Sequence, residues 1–211
     1  MNRLNGLYVI TDQELSPGRT HVQIAEAALQ GGARIIQLRD KDASDRDFLA
    51  DAMQIRKMTA DAKALFIIND RVDVAAAVRA DGVNVGQTDL PVAAVRAILG
   101  PSAIVGVSAD DEKQARKAEF DGASYIGFGP VFPTSTKIDA GPVSGIATLK
   151  RICAASDTPV VAIGGISADS ISDVAEAGAA CAAVVSAVVC AEDMVQATAD
   201  LVREFNNGLK R

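Results

Sequence analysis

The chain has 211 residues, 49% of them apolar, enough to bury a full core as one domain. A formal net charge of −6 argues against a basic face for nucleic acid or an anionic membrane, so any anionic ligand must be held by a local cluster of cations. No apolar stretch reaches the roughly 18 to 20 residues needed to span a bilayer, and MNRLNGLYVITD carries no signal-peptide cleavage pattern, so a soluble cytoplasmic protein is expected.

Short, almost wholly apolar runs then recur along the chain. The first lies at 6–12 (GLYVITD), and Val22, Ala25, Ala28 and Leu29 follow at helical spacing. The second, 34–39 (RIIQLR), leads into Phe48, Leu49, Ala52, Ile55 and Met58, again at helical spacing. Further runs at 64–70, 82–86, 103–109, 124–129, 159–166 and 181–188 bring the number to eight. Strands apolar on both sides belong to a parallel sheet covered by helices. Gly31, Gly32, Gly100, Gly122 and Gly178 follow helical segments and read as left-handed turns back into the next strand. Eight strand-helix units predict an α/β chain folded as a (β/α)8 TIM barrel, with residues 1–211 forming a single domain. A doubly wound dinucleotide fold would also alternate, but its G-x-G-x-x-G turn is missing after the first strand. Gly127-Phe128-Gly129 is followed by Phe132 where the third glycine belongs.

A barrel concentrates chemistry where strands end and loops begin. Gln37, Arg39 and Lys41 alternate to one side of the second strand's end; Asn69 and Asp70 end the third; Asp89 and Ser108 follow the fourth and fifth. Each has a plainer explanation. Arg39 and Lys41 also suit a solvated rim, and Asn69, Asp70 and Asp89 are good helix caps. The segment Gly129-Pro130-Val131-Phe132-Pro133-Thr134-Ser135-Thr136-Lys137 sets three hydroxyls and a lysine directly after a buried strand, which suits a phosphate-bearing ligand as well as a polar surface loop. Gly164 and Gly165 end the seventh strand and Ser186 lies near the end of the eighth, where barrels often hold phosphate. The glycines can equally relieve crowding at the rim. His21, the only histidine, reads as a capping-region or surface residue. Cys153, Cys181 and Cys190 have no ligand-like spacing and read as reduced core thiols.

Taken together, QLRDK at 37–41, INDR at 68–71, DGVNVGQ at 81–87, GPVFPTSTK at 129–137, IGGI at 163–166 and VSA at 185–187 resemble the thiamine phosphate synthase family over nearly the whole chain. The resemblance implies a (β/α)8 barrel that joins hydroxymethylpyrimidine diphosphate to thiazole phosphate, releasing diphosphate. It assigns Gln37, Leu38, Arg39, Asp40, Lys41, Asn69, Ser108 and Lys137 to the pyrimidine diphosphate. Thr134, Ser135, Thr136, Gly165, Val185 and Ser186 go to the thiazole phosphate. Asp70 and Asp89 would hold Mg2+, and Arg39, Lys41 and Lys137 would act in catalysis by stabilising the departing charge. Diphosphate would leave before the thiazole nitrogen attacks, so no general base is implied. Asn84 stands where the family usually has His, and Asp40 where it has Glu. A thiazole tautomerase or a phosphate-ligand sensor are the rival readings, and a homo-oligomer is left open.

Overall fold

A computed structural model describes residues 4–16, 18–136 and 141–210. The strands are β1 (Gly6–Ile10), β2 (Ile35–Leu38), β3 (Leu65–Asn69), β4 (Gly82–Val85), β5 (Ile104–Ala109), β6 (Tyr125–Phe128), β7 (Val160–Ile163) and β8 (Cys181–Val184). Each pairs in parallel with the next, and β8 closes onto β1, so the sheet is a barrel in strict chain order. The helices are α1 (His21–Gln30), α2 (Asp45–Asp61), α3 (Val72–Val78), α4 (Val92–Leu99), α5 (Glu112–Phe120), α6 (Gly145–Ala155), α7 (Ile171–Glu176), α8 (Ser186–Val189) and α9 (Met194–Gly208). This is the (β/α)8 barrel expected from the periodicity.

The near-continuous apolar strands have a direct cause. Leu7, Val9, Ile36, Leu38, Phe66 and Ile68 pack outward against the helices in one large core. Their alternates Tyr8, Ile10, Ile35, Leu65, Ile67 and Tyr125 fill the barrel interior. Gly106 makes room there: a Cβ on it would lie 1.9 Å from Cζ of Tyr125. The interior is thus plugged by side chains, and a ligand is left room at its upper end, where the strands finish.

Three expectations need correction. The eighth strand, read as 181–188, stops at Val184; Val185 turns the chain (φ −121°, ψ −85°) and Ser186–Val189 forms a short helix. A run that is apolar but for Ser186 cannot distinguish the two by pattern. Gly31 is not left-handed (φ −75°). It is small because α9 crosses there, and a Cβ would sit 2.4 Å from Cβ of Thr198. Cys190 is exposed, with its thiol donating to the Leu15 carbonyl at 3.4 Å; Cys181 alone is a fully buried thiol, and burial pushes it up to about 12.

Candidate active site

The C-terminal ends of the strands surround a cavity of about 460 Å³. At one side Asp70 follows β3 and Asp89 lies in the loop after β4, and both line the cavity. Neither caps a helix: α3 begins after Arg71 and α4 after Pro91, each without a side-chain cap. Asp70 instead adopts a left-handed backbone (φ 58°), a conformation open to Asp more than to most residues. Its amide donates to the Asn84 carbonyl at 2.9 Å, and its carboxylate accepts from Asn69 Nδ2 at 2.7 Å. Asp89 Oδ2 accepts the Gly86 amide at 2.6 Å, which folds the loop back on itself. Burial, and next the Asp89 carboxylate within hydrogen-bond reach, push the Asp70 carboxyl up to about 6, against the pull of Lys41 and Arg39.

That shift has a sign that can be measured. Asp70 rises from an ordinary value of 3.8 to about 6, so its contribution to stability is complete below pH 3.8 and is lost as pH rises through 6. With no cation bound, Asp70→Asn should therefore raise the melting temperature at pH 7 to 8. It should also remove part of the decline between pH 4 and 6. Thermal unfolding of both proteins in chelator across that range checks this.

The cations converge on the same side. Arg39 and Lys41 leave β2 and line the cavity, with Arg39 Nη1 only 3.8 Å from Asp12 Oδ2. Gln37, one turn of the pleat below, is buried, and its Nε2 donates to the Tyr8 hydroxyl at 2.7 Å. Asn69 and Ser108 also line the wall; Ser108 Oγ accepts from Asn84 Nδ2 at 3.0 Å, and its carbonyl accepts from Gln87 Nε2 at 2.6 Å. Leu38 does not join them, because strand alternation turns it into the core beneath the helices. Asp40 does not line the cavity either. Its Oδ1 accepts the amides of Asp42 and Ala43, and its Oδ2 meets His21 Nε2 at 3.0 Å. His21, expected at the surface or in a capping region, does open α1 but is only 2% exposed.

The opposite side is built by β6, β7 and β8. Thr134, Thr136, Gly164, Gly165, Val185 and Ser186 line it, whereas Ser135 does not. Lys137 lies outside the described residues. Gly164 and Gly165 have φ of 99° and 63°, and Cβ atoms there would meet Pro130 Cα at 2.6 Å and the Pro133 carbonyl at 2.4 Å. Crowding at the rim is therefore real. It lets Val131 and Phe132 donate to the carbonyls of Ile163 and Gly164, at 2.9 and 3.0 Å, which fastens the loop after β6 to β7. The short helix α8 starts at Ser186; Val188 and Val189 donate to the Val185 carbonyl, both at 3.0 Å, which leaves the Ser186 and Ala187 amides without a partner in the helix. Its far end is clasped by the loop after β1: Ser16 Oγ donates to the Val189 carbonyl at 2.9 Å and Arg19 to those of Ala191 and Glu192 at 2.6 and 2.7 Å. One cavity thus offers two anion-compatible ends, one with carboxylates and cations, the other with free amides and hydroxyls.

A family model described as thiamine monophosphate synthase matches residues 7–188. The chain belongs to the thiamine monophosphate synthase family. A thiamine-phosphate synthase of Methanospirillum hungatei is 48% identical over 193 residues, covering 92% of this chain and 94% of that protein. One from Methanoculleus marisnigri is 49% identical over 195 residues, with 92% of each covered. Among solved structures, a thiamine phosphate pyrophosphorylase from Pyrococcus furiosus superposes with a TM-score of 0.89 at 41% identity, over 99% of this chain and 98% of that one.

Asn84 and Asp40, the two positions expected to depart from the family pattern, have local partners. Asn84 bridges β4 to Ser108 on β5, and Asp40 is tied to His21. Tyr8 and Tyr125 carry no signal in the sequence. They lie 117 positions apart, yet their hydroxyls meet at 3.0 Å and their rings pack edge to face at 6.1 Å. Both hydroxyls are held protonated well above the ordinary range, mainly by burial. With Gln37 they form a continuous polar floor beneath the cavity. An aromatic on each of two apolar strands is otherwise read as core.

Proposed function

We propose that the cavity joins hydroxymethylpyrimidine diphosphate to thiazole phosphate, making this transferase a thiamine-phosphate synthase that works by departure of diphosphate followed by attack of the thiazole nitrogen. The observation that carries this reading is the cavity's two-ended chemistry, in a chain that belongs to the family over most of its length.

Asp70 and Asp89 suit Mg2+, a hard cation that takes one or two carboxylates and fills its remaining positions with water and phosphate oxygen. Among the described residues no third His, Cys, Asp or Glu side chain joins them, so water and phosphate oxygens would have to complete the ion's coordination. Bound there, Mg2+ would neutralise the diphosphate and lower the barrier to its departure. Arg39 and Lys41, beside the carboxylate pair, hold the diphosphate oxygens and stabilise the charge that grows on them, as Lys137 would from the PTSTK segment. Asn69 and Ser108 orient the pyrimidine part, and Gln37 fixes the floor below it. At the far end Thr134, Thr136, the backbone at Gly165 and Val185, and Ser186 receive the thiazole phosphate, which aims the ring nitrogen across the cavity. The attacking nitrogen carries no proton, so the site needs no general base. We assign Leu38 and Asp40 to support of the loop instead of ligand contact, because neither lines the cavity. Residues 1–211 work as a single domain in this reading.

Substrate-specific kinetics test the division into two ends. Ser186→Ala should raise KM for thiazole phosphate about tenfold while leaving that for the pyrimidine substrate nearly unchanged, since one hydroxyl bond to a charged group is lost. Equal loss for both substrates contradicts the assignment. Gly165 is a poorer probe, because any side chain there displaces the 130–133 loop as well.

A further inference from the structure

We propose that His21 is a positioning residue for the diphosphate end of the cavity: from outside it, the imidazole fixes the loop that presents Arg39 and Lys41. The inference rests on the reading that these two cations bind the pyrimidine diphosphate.

His21 is held on every side. It is the first residue of α1, directly after the N-cap Thr20, whose side chain accepts the Gln23 amide while the Gln23 side chain accepts the Thr20 amide. From this anchored point the buried ring spans two strands. Nδ1 meets Thr11 Oγ1 at 2.8 Å just past β1, and Nε2 meets Asp40 Oδ2 at 3.0 Å just past β2. Thr11 Oγ1 also accepts the Arg39 amide at 3.4 Å, and Asp40 Oδ1 accepts the amides of Asp42 and Ala43, both at 2.9 Å. The backbone on either side of Lys41 is therefore tied, through two side chains, to one imidazole.

The surroundings make that tie consequential. Lys41 and Asp42 are exposed, so burial does not order this loop; Asp40 and Thr11 do. Neither Thr11, His21 nor Asp40 lines the cavity, whereas Arg39 and Lys41 do. Asp40 also stands between those two cations in sequence. Released from His21, its carboxylate would become a nearby counterion for them and compete with the diphosphate. Burial pushes the Asp40 carboxyl up, but the bonds from His21 and the two amides outweigh it and hold the group below its ordinary range, so it stays an ionised acceptor.

The test compares KM for each substrate, kcat and melting temperature in His21→Ala, His21→Gln and Thr11→Val, with Arg39→Ala as control. His21→Ala should raise KM for hydroxymethylpyrimidine diphosphate about tenfold, the worth of one charge-assisted hydrogen bond. KM for thiazole phosphate should stay within about twofold. His21→Gln, whose amide nitrogen reaches the place of Nε2 and still donates to Asp40, should restore most of the loss. Equal changes in both KM values, no change, or Gln behaving like Ala would overturn the proposal, because a merely structural histidine would affect both ends alike. Should His21→Ala not fold, Thr11→Val removes one oxygen of the same network at constant shape; it should show the same one-sided rise, and an unchanged pyrimidine KM overturns the proposal. If Arg39→Ala raises that KM and the His21 and Thr11 variants do not, the positioning role alone fails. If Arg39→Ala leaves it unchanged, the assignment of the cations fails, and the positioning role with it.

Discussion

Asp70→Asn and Asp89→Asn should each lower kcat/KM at low Mg2+ by on the order of a hundredfold, with the fold intact. Asn keeps the local bonds: it can still accept the Gly86 amide at position 89 or face Asn69 at position 70. What it loses is charge, and only a role toward a cation and the diphosphate makes that loss severe. High Mg2+ should recover part of the activity of each single variant, because one carboxylate remains. The double variant should fall far short of the product of the two losses, since the second change acts on a site already broken. Kinetics over a range of Mg2+, with melting temperatures for the same proteins, check both points. Near-full activity of both single variants at low Mg2+ would leave their carboxylates with no role beyond folding their loops.

Lys137→Ala should reduce kcat by on the order of a hundredfold while changing thiazole phosphate binding little. An ammonium that stabilises charge only as the carbon–oxygen bond breaks contributes more to the transition state than to the bound substrate. The expectation follows from its place directly after Thr134-Ser135-Thr136, of which Thr134 and Thr136 line the cavity. Single-turnover measurement of diphosphate release separates the chemical step from binding. A near-normal single-turnover rate would remove Lys137 from the mechanism.

Much of the barrel can be read from the sequence because parallel strands buried on both faces leave runs such as LFII and VVAI, which few other structures require. Strand ends are harder to read. VVSAVV is apolar apart from Ser186, and one small polar residue suits a strand end as well as a helix start, so the pattern does not place the change from β8 to α8 at Val185. Asp70 and Asp89 are visible as polar residues after strands, but each alone looks like a cap. Their convergence appears only when β3 and β4 are side by side and Asp70 takes its left-handed backbone. Gly164 and Gly165 are legible as unusual, yet their reason is a loop 30 or so residues earlier that packs against them. The contacts of His21 with Thr11 and Asp40, and of Tyr8 with Tyr125, join residues from different elements and have no local signature at all. What escapes the sequence is chiefly the pairing of side chains across the barrel, which depends on closure and register.

Diphosphate release reports whether one cavity uses both substrates. Protein, Mg2+ and both substrates together should release one diphosphate for each thiamine phosphate formed, and omission of thiazole phosphate, of the pyrimidine substrate or of Mg2+ should abolish steady turnover. Binding of both ligands without any diphosphate release, or conversion of thiazole phosphate alone, would exclude synthase chemistry in this cavity.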